Sequence, residues 1–64
     1  MLNLSEVIIQ NPELEQFEQL LEVVTRRALD GELHFRMDVK PAYPDTPDDW
    51  EERLEMAFYE PNRA

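Results

Sequence analysis

Gly31 is the only glycine in a chain of 64 residues, and there the spacing of apolar side chains changes from three-and-four to two. Before it, Leu14, Phe17, Leu21, Val24 and Ala28, with Leu20 flanking, share one side of a helical spiral. After it, Leu33, Phe35, Met37 and Val39 alternate with Glu32, His34, Arg36, Asp38 and Lys40, as in a strand with one buried face. A chain with both periods must combine helix and sheet. The glycine supplies the left-handed residue with which a helix can end. The spacing predicts a helix over residues 12–29 and a strand over residues 32–40. Asn11-Pro12-Glu13 opens the helix as cap, first-turn proline and dipole-complementing acid.

Thr46-Pro47-Asp48-Asp49 has the same character and predicts a second helix. Trp50, Leu54, Ala57 and Phe58 form its apolar face, Pro61 bounds it, and residues 62–64 are a frayed tail. The N-terminal segment allows two readings. Ser5 caps a short helix stapled by Leu4 and Ile9, or Val7-Ile8-Ile9 belongs to a strand; the helix is preferred. One strand cannot satisfy its own backbone. Its candidate partners are the N-terminal segment, the stretch around Ala42 and Tyr43, or the same strand of a second copy in a homodimer. The expected fold class is α+β: two acidic amphipathic helices packed on a small antiparallel sheet, in a single domain over residues 1–64.

Several kinds of chemistry lack the residues they need. With no cysteine there is no disulfide, thiolate metal site or cysteine nucleophile. His34 is the only imidazole and Ser5 the only serine, so a hydrolytic triad has no support. A calcium loop opening at Asp45 fails, because Trp50 replaces its glycine and Met56 its closing glutamate. Di-iron bundles need two Glu-x-x-His pairs. No catalytic residue, metal or cofactor is expected, and the chain does not read as an enzyme. No apolar run approaches a membrane span of roughly 20 residues, and the first ten residues lack a signal-peptide pattern, so no membrane association is expected and a cytoplasmic location is.

Charge is the positive clue. Fifteen Asp and Glu stand against six Lys and Arg, a formal net charge of −9. Residues 1–31 carry six acids and two bases (−4), residues 32–40 two and two (0), and residues 41–64 seven and two (−5). Direct nucleic-acid binding is disfavoured, because it needs clustered cations and the one basic doublet is Arg26-Arg27. Asp48, Glu51, Glu52 and Glu55 recur at helical spacing, Asp45 and Asp49 extend the row, and Glu15, Glu18 and Glu22 repeat it on the first helix. Like charges so placed cost a few tenths of a kcal/mol per pair, so folding gains little from them. Rows of carboxylates can imitate phosphates and occupy the basic groove of a nucleic-acid-binding protein. They can also simply keep the surface solvated, or reflect adaptation to high salt. Trp50 and Phe58 fit the core, whereas Tyr43, Met56 and Tyr59 lie off the apolar stripe and are available as partner anchors.

In size, acidity, compactness and absence of cysteine, the chain resembles the small phage-encoded DNA-mimic inhibitors, among them anti-CRISPR proteins. The resemblance is one of type and no motif carries it. It implies a non-enzymatic inhibitor that blocks a basic nucleic-acid-binding protein or complex, in the host cytoplasm if phage-encoded, through Glu15, Glu18, Glu22, Asp45, Asp48, Asp49, Glu51, Glu52 and Glu55. The alternative is a regulatory interaction module, antitoxin-like or an adaptor, that binds through its strand edge and aromatics.

Overall fold

In the computed structural model, which describes residues 1–60, the order of elements is β1 (Leu2–Asn3), α1 (Leu4–Gln10), α2 (Phe17–Leu29), β2 (Phe35–Arg36) and α3 (Trp50–Tyr59). Leu4 and Val7 are one helical turn apart and fully buried, which favours helix over the strand preference of Val7-Ile8-Ile9. The chain reaches α1 as a strand through Asn3, so Ser5 lies inside the first turn and is not the cap. No Leu4–Ile9 staple forms: Leu4 is buried, whereas Ile9 is 76 % exposed.

The sequence Asn11-Pro12-Glu13 does not open α2. The Asn11 side-chain amide donates back to the Val7 carbonyl at 2.8 Å, and the Leu14 N–H closes a turn on the Asn11 carbonyl at 3.1 Å. These residues end α1, and α2 starts at Phe17 behind a Gln16–Gln19 capping box. Gln19 Oε1 accepts from the N–H groups of Glu15 at 2.8 Å and Gln16 at 3.0 Å. The far end of α2 lies where Gly31 puts it. Gly31 has φ 113°, its N–H bonds to the Ala28 carbonyl, and the Glu32 N–H bonds to the Arg27 carbonyl, the two closing bonds of a Schellman motif.

The sheet differs most from expectation. It is parallel, not antiparallel, and holds two short strands, with Leu2 beside Phe35 and Asn3 beside Arg36. A parallel pair needs a long crossover, and the two helices between β1 and β2 supply it. Length follows from β1, which ends where α1 begins at Leu4 and leaves residues 37–40 outside the strand ladder. Phe35 and Met37 still pack on the core, but Leu33 and Val39, expected on the buried face, are exposed.

The third helix also begins later than Thr46-Pro47 predicts. Thr46 closes the turn before it, its Oγ1 accepting from the Tyr43 N–H at 3.1 Å and its N–H donating to the Tyr43 carbonyl. The anticipated apolar face of α3 is the buried one, with Leu54 and Phe58 in the core and Trp50 and Ala57 against it. Leu2, Leu4, Val7, Phe17, Leu20, Val24, Leu54 and Phe58 form that core, so every helix and β1 contribute. Phe35 joins it by stacking on Phe58, with ring centroids 5.1 Å apart. Pro61 and residues 62–64 lie outside the described residues.

With so small a core, one large cavity decides stability. Leu54→Ala should cost about 2 to 5 kcal/mol and leave the chain largely unfolded at room temperature, as read by urea titration of helical circular dichroism. Ile9→Ala should change stability by less than about 0.5 kcal/mol; a larger loss would show that the Leu4–Ile9 staple forms after all.

Candidate functional site: the acidic faces of α2 and α3

Because Leu54 faces the core, Glu52, two residues back, points about 160° away from it around the axis. Glu55 and Glu51 lie to one side of Glu52, about 60° and 100° round the axis from it, and all three are exposed. On α2 the buried stripe of Phe17, Leu20 and Val24 leaves Glu18 and Glu22 exposed one turn apart. The remaining candidates are not on helices. Glu15, Asp45, Asp48 and Asp49 precede the helices, since α2 begins at Phe17 and α3 at Trp50. They are exposed on the turns and connections that lead into them.

Two carboxylates in the connection between β2 and α3 have a structural duty. Asp45 Oδ1 accepts from the Phe17 N–H at 2.6 Å, closing the start of α2 from 28 residues away. Asp38 does the same for α1: Oδ1 accepts from the Ser5 N–H at 3.0 Å and Oδ2 from the Ser5 hydroxyl at 2.6 Å. Negative charge at a helix start is favourable on dipole and hydrogen-bonding grounds alike. The Ser5 hydroxyl, and secondarily its N–H, hold the Asp38 carboxyl below the usual carboxylate range. Nothing in the local sequence marks Asp38 as a cap, because its partner lies 33 residues away.

The other acids are set apart by what they lack. Asp49 pairs with Arg53 through an exposed contact of 2.8 Å, and Glu32, outside the candidate set, with Arg27 at 3.0 Å. Among the described residues, the carboxylates of Glu15, Glu18, Glu22, Asp48, Glu51, Glu52 and Glu55 take part in no ion pair or hydrogen bond. The row on α3 ends in apolar surface, for Tyr59 follows Glu55 at a helical repeat and Met56 follows Glu52. Tyr59 is 57 % and Met56 43 % exposed. Tyr43, the third proposed anchor, instead packs against the core, and burial first, then the charge of Glu13, raises its hydroxyl pKa.

Among the described residues no group of three or more His, Asp or Glu side chains is arranged to hold a metal ion, and no helix is long and apolar enough to cross a membrane. His34 is exposed, with no hydrogen bond from its side chain to any described residue. The chain matches no protein-family model, no curated protein and no solved structure.

The two capping carboxylates give distinct expectations. Asp45→Ala should lower stability by about 1 to 2 kcal/mol in urea titrations, while a change within error would remove the role of Asp45 in closing α2. For Asp38 the folded-state pKa lies below the unfolded one. Its contribution is present above the ordinary carboxylate range and is lost as pH falls through the folded value. Ser5→Ala should therefore flatten the acid limb of the stability curve below the ordinary carboxylate range, and an unchanged limb would contradict the assignment.

Proposed function

We propose that this chain is a non-enzymatic binding protein whose unpaired carboxylates occupy the basic nucleic-acid-binding surface of another protein or complex. The observation that carries the reading is the separation of duties among its acids. Asp38 and Asp45 accept hydrogen bonds from helix starts, whereas the equally exposed Glu18, Glu22, Asp48, Glu51, Glu52 and Glu55 take part in no ion pair or hydrogen bond among the described residues. A surface built for solubility alone is served by interspersed charges of both signs and a modest net charge; in these rows Asp49 alone forms an ion pair among the described residues.

Size bounds what is imitated. The longest dimension, 27 Å, equals about eight base pairs at 3.4 Å each. The chain can thus fill less than one turn of a duplex-binding channel, enough to block access but not to replace a long substrate. Met56 and Tyr59 at the end of the α3 row supply what DNA lacks, an apolar anchor of the kind enriched at protein interfaces. The partner is therefore a protein with a Lys/Arg groove bordered by apolar surface. The anti-CRISPR or related anti-defence type rests on the resemblance in size and charge alone.

The test uses the immobilised chain and a bacterial extract. Retained proteins should be released by duplex DNA and by moderate salt, because affinity between exposed opposite charges falls steeply with ionic strength. A variant with Asp48→Lys, Glu51→Lys, Glu52→Lys and Glu55→Lys should fold and retain none of them. Retention that survives this reversal and resists both DNA and salt would sink the mimic reading in favour of an apolar interface.

A further inference from the structure

Residues 32–40 alternate apolar and polar side chains throughout, yet pair with β1 only at Phe35 and Arg36. The Leu2 N–H donates to the His34 carbonyl at 2.8 Å. In a parallel ladder, backbone groups of successive residues face opposite edges, so those of Leu33, Phe35 and Met37 are directed away from β1. No backbone group of Leu33, Met37 or Val39 is hydrogen-bonded to a described residue. At the ends of this edge sit two exposed aliphatic side chains, Leu33 at 77 % and Val39 at 40 %.

We propose that this edge pairs with the same edge of a second copy of the chain, antiparallel about a two-fold axis at Arg36, to make one four-stranded sheet. In that register each residue faces the one equally far beyond Arg36 on the other copy. Leu33 then lies opposite Val39 and Phe35 opposite Met37, so each exposed aliphatic residue covers the other, twice by symmetry. The pairing stops at Leu33 and Val39, because the chain bends at Val39 before Lys40 and Glu32 is paired with Arg27. His34 faces Asp38. The one like-charged pair, Arg36 with itself, has the other copy's Asp38 on its diagonal, within reach of a long side chain.

Neighbouring registers are worse. A shift of two residues one way sets Pro41, which has no N–H, opposite Leu33; two the other way sets Glu32 opposite Asp38. Odd shifts turn one strand's donors away from the other. Electrostatics singles out the same edge, since residues 32–40 carry two acids and two bases in a chain of net charge −9. Two copies meet there with the least repulsion. Pairing also covers an edge that otherwise invites indiscriminate association, and it uses none of the carboxylates that the function proposed above invokes.

Sedimentation equilibrium of the intact chain at about 100 µM, where a dimer with Kd near 1 µM is fully formed, should give twice the 7.6 kDa chain mass. The register is tested by single thiols in a protein that has none. Directly opposite, non-hydrogen-bonded residues of an antiparallel pair have Cα atoms about 4.5 Å apart, inside the range of about 4.4 to 6.8 Å that a disulfide spans. Arg36→Cys should therefore cross-link under mild oxidation at least about tenfold faster than His34→Cys, whose counterpart lies far along the strand. As an independent reading, Leu33→Glu should weaken the dimer and Leu33→Glu with Val39→Lys should restore it, since the register sets these two exposed residues opposite each other. A monomer mass, cross-linking no faster at 36 than at 34, or no restoration by the double exchange would each overturn the proposal.

Discussion

The path of the chain between β2 and α3 depends on two hydrogen-bonded carboxylates. Among the described residues beyond residue 31, only β2 and α3 are regular structure, so helix propensity and sheet pairing cannot by themselves fix the intervening segment. Asp38 ties one end of it to the start of α1 and Asp45 ties the other to the start of α2. Each bond satisfies helix amides that would otherwise be orphaned, and each places negative charge at the positive end of a dipole. With both made, Phe35 is held against Phe58, Pro41 is buried, and α3 is delivered onto α2, where Leu54 enters the core.

How much of this was legible follows the range of each interaction. Gly31, the apolar stripe of α2 and the Trp50, Leu54, Ala57 and Phe58 face of α3 act over one or two helical turns, and all could be read. The boundaries were harder, since Asn, Pro and Glu suit a turn after one helix as well as the cap of the next. Here the Asn11 amide bonds backward to Val7. Strand direction was not readable at all: alternation marks a strand without naming its partner, and a strand of only Leu2 and Asn3 gives no periodic signal. Asp45 looked like a member of the acidic surface and Asp38 like one polar position of a strand, because the helix starts they close lie 28 and 33 residues away.

That distinction changes the meaning of the charge. Counted together, the acids give −9; sorted by partner, some belong to the architecture and others have no role in it. The legible part of the candidate site was its composition, and Glu18, Glu22, Glu51, Glu52 and Glu55 are exposed as their spacing required. What spacing could not supply was which acids form ion pairs, which depends on where Arg26, Arg27, Arg36, Lys40 and Arg53 fall in three dimensions. Arg27 and Arg53 are already paired with Glu32 and Asp49.

If the exposed carboxylates serve binding and contribute nothing to folding, their removal should relieve repulsion. The most direct measurement is the thermal midpoint of a variant carrying Glu18→Gln, Glu22→Gln, Glu51→Gln, Glu52→Gln and Glu55→Gln, compared with the parent chain at low and high salt. A midpoint above the parent's at low salt, with the gap closing as salt screens the parent's charges, is the predicted result. A midpoint below the parent's at both salt concentrations would mean that these acids hold the fold together, and would contradict the division on which the account rests.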